Sequence, residues 1–193
     1  MRTQQKERTR AAIVDATRAL AAGGGEVTMP AIAVAARVSE ATAYRYFPDL
    51  LSLLRETLDV LDPVEALAPV AGSDDVVERV GYAAAVLARD VLRRQGAVRA
   101  AFAGSITRPG AAATARPGRR FGLIDAALAS WEATDEAREQ LVRDLAVVLS
   151  AEALFILVDL YGFDDEQAVA SLVGTARRVT AAATPGSTRS RSA

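Results

Sequence analysis

At 193 residues, 51% of them hydrophobic, the chain is long enough for one large or two small domains with a substantial apolar core. It has no cysteine and no histidine, which excludes a disulfide framework, a His or Cys metal site and any Ser-His or Cys-His nucleophilic pair, so neither cofactor nor metal is expected. The net charge of −1 is unevenly spread, near +3 over residues 1–47 and near −4 over the rest, the balance of a DNA-binding end on an acidic body.

Residues 1–10 are charged and lack an apolar segment, so they are not a secretory signal and a cytoplasmic setting is expected. Apolar residues recur at helical spacing almost everywhere, and no alternating run is long enough for a strand. The fold class is therefore all-α. It divides into an N-terminal three-helix head over residues 1–50 and a larger helical domain over 51–184, with disordered tails at 1–7 and 185–193.

The first helix spans roughly residues 6–22, with Ile13, Val14, Ala16, Thr17 and Leu20 inward, and Gly23-Gly24-Gly25 stops it. Met29, Ile32, Ala33 and Ala36 form the stripe of a short second helix that starts at Thr28-Met29-Pro30 and ends near Arg37. Ser39 is an N-cap for a third helix running through Phe47, which Pro48 ends. Asp49 caps a fourth, with Leu50, Leu51, Leu54, Leu58 and Leu61 on one side, broken at Asp62-Pro63.

Asp74 to about Arg94 is a long amphipathic helix carrying Val77, Val80, Ala84, Leu87 and Val91; a short one after Gly96 holds Val98, Ala101, Phe102 and Ser105. Pro109-Gly110 and Pro117-Gly118 make residues 108–118 a mobile loop. Phe121, Ile124, Leu128 and Trp131 mark a further helix. The run Leu145 to Phe163 is apolar nearly all round, which predicts one helix buried on both sides. Glu152 and Asp159 within it, and the lack of a flanking basic or aromatic belt, argue against a membrane span. The last helix opens with a capping box, Asp164 with Gln167, and shows Val169, Leu172, Val173, Ala176 and Val179 on one stripe.

Two short helices at 29–36 and 39–47 joined at Arg37-Val38 have the dimensions of a helix-turn-helix. At 100° per residue the second puts Ala43 and Phe47 inward and Ala41, Thr42, Tyr44 and Arg45 outward, with Glu40 at its exposed edge. That outer face is slim, with hydroxyls on Tyr44 and Tyr46 for phosphates and Arg45 for phosphate or guanine. Arg2, Lys6, Arg8 and Arg10 form either an arm reaching DNA or solvated charge.

The run Val27-Thr28-Met29, Ile32-Ala33, Val38-Ser39 and Thr42-Ala43-Tyr44-Arg45-Tyr46-Phe47-Pro48 resembles the head motif of the TetR-type repressors over about residues 10–55. The resemblance implies that Thr28, Ser39, Tyr44 and Tyr46 hold phosphates of double-stranded operator DNA and that Glu40, Ala41, Thr42 and Arg45 sit nearest base edges. It has two departures. Arg37 stands where glycine is usual, implying a strained conformation or an added phosphate contact, and Leu50 replaces the usual lysine at the start of the fourth helix.

The resemblance also implies a sensor pocket for a small apolar effector among the middle helices, with Leu87, Val91, Phe102, Phe121, Ile124, Leu128, Trp131 and Phe155 as walls and Ser105, Thr107 and Glu152 as polar contacts. Glu152 belongs either there or at a dimer interface. The last two helices offer more apolar surface than one domain buries, so a homodimer through residues 134–183 is expected. An enzyme is not: there is no paired-acid constellation, and Gly23-Gly24-Gly25 follows a helix, not a strand, so it fails as a dinucleotide loop. The alternative is a helix-turn-helix regulator controlled by a protein partner in place of a small molecule.

Overall fold

The structure, a computed structural model, describes residues 2–23, 26–57, 62–107 and 119–184. All its regular elements are helical, with no strand among the described residues. In chain order they are α1 (Arg2–Ala22), α2 (Met29–Ala35), α3 (Glu40–Tyr46), α4 (Leu50–Thr57), α5 (Pro63–Ala66), a 3-10 turn (Ala68–Val70), α6 (Val76–Arg93), α7 (Gln95–Thr107), α8 (Arg119–Ala127), α9 (Asp135–Val148), α10 (Ala151–Asp159) and α11 (Asp165–Ala183). No described helix is long and apolar enough to cross a membrane. The mobile loop expected at 108–118 and the tail expected from Pro185 lie outside the described residues.

The chain forms two compact units, residues 1–60 with 93–115 and residues 61–92 with 116–193. In the first, α1 packs on α2 and α4, α2 on α3, and α7 on α4 and α1. Its core gathers Ile13, Val14, Ile32, Ala43, Phe47, Leu53, Leu54 and Ala97. The head expected to end at residue 50 thus shares its core with α4 and α7, because Leu53, Leu54 and Ala97 are fully buried beside it. Thr17 sits in this core without penalty, since its hydroxyl donates to the Ile13 carbonyl at 2.7 Å.

One expectation for the head fails at its start. Residues 2–7, read as a disordered tail, belong to α1, whose opening Gln, Lys, Glu and Arg residues are unbranched and lose little rotamer freedom in a helix.

In the second unit α9 packs on α8 and α11, α10 on α11, and α5 on α8. Val76, Val80, Ala83, Ala84, Leu87, Ala88 and Val91 line the buried side of α6, so its stripe starts at Val76, and Val77, expected inside, is half-buried. Arg79 lies on that side. Its Nε donates to the Ala127 carbonyl at 3.0 Å, one terminal nitrogen to Ala126 at 2.7 Å and the other to Ala71 at 3.2 Å and Val70 at 3.5 Å. Arg138 adds both terminal nitrogens to the Leu128 carbonyl, at 2.8 and 2.7 Å. Two guanidiniums thereby satisfy the last carbonyls of α8, the negative end of its dipole.

The run Leu145 to Phe163 is not one helix. Leu149 ends α9 and Ser150 caps α10, its hydroxyl accepting the Ala153 N–H at 3.1 Å. Nor is it buried all round: Val147, Ile156, Leu160 and Tyr161 are exposed. The capping box of α11 forms as read, Asp164 accepting from the Gln167 N–H at 2.8 Å while the Gln167 side chain accepts from the Asp164 N–H at 3.0 Å.

Candidate nucleic-acid interface

The interface is built by two short helices and the turn between them. Thr28 caps α2 through a 3.3 Å hydrogen bond from the Ala31 N–H, and Met29, Ile32 and Ala33 anchor the helix in the core. At its far end the Val38 N–H donates to the Ala33 carbonyl at 3.0 Å and the Arg37 N–H to Val34 at 3.1 Å, the bond pair of a Schellman motif. That motif needs a left-handed residue after the cap, and Arg37 supplies it with φ of 55°. Of the two readings open for Arg37, the strained conformation is therefore present.

Ser39 opens α3 with its hydroxyl accepting the Thr42 N–H at 3.2 Å. Ala43 and Phe47 are buried; Glu40, Ala41, Tyr44 and Arg45 are exposed; Thr42 and Tyr46 are half-buried. The Arg45 guanidinium lies 5.6 Å from the Tyr46 ring centroid, which restrains an otherwise free cation beside the outer face. Phe47 is extended, Pro48 follows in a bend, and Asp49 caps α4 by accepting the Ser52 N–H at 2.7 Å. Leu50 is half-buried on the first turn of α4.

The basic residues expected as an arm separate. Arg10 is not part of one: it pairs with Glu56 and stacks over Phe47, because α1 is helical there and points it at α4. Lys6 and Arg8 are exposed on α1, and the side chain of Arg2 lies outside the described residues.

Such an assembly presents a slim polar helix, fixed by a cap at its start and by Ala43 and Phe47 beneath, with Glu40, Ala41, Tyr44 and Arg45 exposed on its other side. Residues 13–57 match the model of a family described as bacterial regulatory proteins, tetR family. Residues 13–57 are thus the DNA-binding helix-turn-helix head of a tetR-family regulator. The match spans the head alone, and no curated protein matches the chain.

The eleven residues expected to line an effector pocket fall in different places. Leu87, Val91, Ile124, Leu128 and Phe155 are buried in the second unit, where Phe121, Trp131 and Glu152 are half-buried. Phe102 is exposed on α7 in the first unit, and Ser105 and Thr107 lie on the same helix with their side chains outside the described residues. Arg79 was missed in the sequence, although its spacing three residues after Val76 and four before Ala83 puts it on the apolar side of α6 and marks it as a buried polar anchor.

Proposed function

We propose that the chain is a repressor that binds a nearly palindromic operator as a homodimer, acts in the cytoplasm and is released by a small apolar molecule. The outward face of α3 carries this reading. Tyr44, 45% exposed, stands beside Arg45, Ala41 and Glu40 on a helix whose opposite side is pinned in the core. Thr28, Ser39, Tyr44 and Tyr46 would grip phosphates, while Glu40, Ala41, Thr42 and Arg45 would approach base edges, with Arg37 as a flanking cation.

The dimer is supported by apolar side chains left in water by the single chain. Within residues 134–183, Val147, Ile156, Leu160 and Tyr161 are exposed, and pairing two copies there would bury them. Two heads held by one two-fold axis would meet two half-sites. An apolar molecule seated among the side chains of Leu87, Val91, Ile124, Leu128, Trp131 and Phe155 would release DNA if it bound more tightly to a head spacing unlike that of the duplex, by the same coupling energy in both directions.

The test is a titration of the full chain on an enriched operator and on random duplex. Tyr44→Ala is expected to weaken both alike, whereas Thr42→Ala and Glu40→Ala change which duplex is preferred. Equal effects of both kinds of variant on both duplexes would overturn the assignment.

A further inference from the structure

Residues 62–71 are fastened to α8 at both ends, wholly within the second unit. At the start, Asp62 caps α5, its carboxylate accepting the Val64 N–H at 2.9 Å and the Glu65 N–H at 3.4 Å, and Pro63 takes the first helical position. The Pro63 ring lies against α8 at Gly122: a Cβ on residue 122 would come within 2.9 Å of Pro63 Cγ, so only glycine permits the approach. At the other end, one terminal nitrogen of Arg79 holds the Val70 and Ala71 carbonyls, while its Nε and second terminal nitrogen hold those of Ala127 and Ala126. Residues 62–71 are therefore a strap tied to both the beginning and the end of α8.

The opposite side of α8 faces the core. Leu123, Ile124, Ala127 and Leu128 are fully buried, and at 100° per residue their common direction is opposite to that of Gly122. Ile124 and Leu128 are among the side chains proposed to hold the effector. A molecule pressing on them would push the backbone at Gly122 straight onto the Pro63 ring, with no flexible side chain between to absorb the shift, and close-packed interiors pass such strain on. Only residues 58–61 separate Asp62 from Thr57, the last residue of α4 in the head. The strap is thus where the body holds the chain that leads directly to α4.

We propose that the Gly122–Pro63 contact relays the state of α8 to the head, the seating of the strap on α8 setting how the two heads of a dimer are spaced. The relay rests on the effector-released dimer proposed above, and makes Gly122 and Pro63 positioning residues that touch neither DNA nor effector.

The experiment needs no effector. The full chain and its Gly122→Ala, Pro63→Ala and doubly substituted variants are titrated on a duplex enriched from a random pool and on the same duplex with one half-site scrambled. The methyl of Gly122→Ala lifts the strap off α8 in the sense in which a molecule beneath α8 would, so binding to the intact duplex is expected to weaken about tenfold while binding to the single half-site is unchanged. Pro63→Ala removes Cγ and leaves Cβ, which stands 3.9 Å from the added methyl in ordinary contact, so the double variant is expected to recover the affinity of the parent. Equal losses on both duplexes, no loss on either, or a double variant as weak as Gly122→Ala overturns the relay and leaves the DNA-binding dimer standing. A parent chain that binds the intact duplex no better than the single half-site overturns both. If Gly122→Ala melts well below the parent, Pro63→Ala alone decides: with the strap loosened, the preference for the intact duplex is expected to narrow about threefold, and an unchanged preference overturns the relay.

Discussion

The guanidinium of Arg10 lies 5.1 Å from the centroid of the Phe47 ring while it pairs with the Glu56 carboxylate. Phe47 caps α3 and Glu56 belongs to α4, so one side chain of α1 ties together the two elements that flank Pro48. The ion pair is partly in water, its side chains 49% and 37% exposed, which limits its worth. Arg10→Ala is expected to cost about 1 kcal/mol of stability, most of it from the stacking. Urea denaturation measures this; loss of DNA affinity with an unchanged midpoint would put Arg10 on DNA instead.

Arg37 holds a left-handed backbone angle, φ of 55°, where the Schellman bonds require it. A side chain costs roughly 1 kcal/mol there, partly offset by the greater freedom of glycine in the unfolded chain. Arg37→Gly should therefore raise stability by about 0.5 kcal/mol, and Arg37→Val should lower it. Denaturant midpoints at constant m value decide; a glycine variant less stable than the parent would mean that Arg37 contributes contacts outweighing its strain.

Arg79 is 8% exposed and serves four backbone carbonyls from two segments. Charge-assisted bonds of this kind are individually strong, and their loss strands buried acceptors. Arg79→Met should cost about 3 kcal/mol, and Arg79→Lys nearly as much, because one ammonium cannot span the carbonyls that a planar fork reaches. A lysine variant as stable as the parent would show that charge alone suffices.

Leu160 and Tyr161, 78% and 70% exposed, lie in the stretch assigned to pairing. Leu160→Lys should shift the chain from dimer toward monomer in sedimentation and weaken operator binding, since the second head then no longer binds as a tethered partner. A parent chain that sediments as a monomer at micromolar concentration, or a variant that remains fully dimeric, would contradict this use of the surface.

Local chemistry in the sequence carried the head almost residue by residue. Ser39, Asp49 and Asp164 cap their helices as read because a capping bond involves only three or four neighbouring residues. The inner face of α3 was equally legible, since Ala43 and Phe47 stand one turn apart and carry no polar atom into the core. What failed depended on partners distant in sequence. An apolar run such as Leu145 to Phe163 has no periodicity to show where it breaks, and Ser150 becomes a cap only when α9 and α10 diverge. The membership of Ala97 in the head's core, and the carbonyls awaiting Arg79, likewise arise from packing between segments that the stripe on one helix does not specify.

Selection of duplexes by the full chain from a random pool tests the central claim, that the face around Tyr44 and Arg45 is applied to paired bases twice per assembly. An enriched inverted repeat, with half-sites separated by about one helical turn or a multiple of it, is the predicted result. A pool that stays random, or converges on a single unpaired half-site, would contradict it.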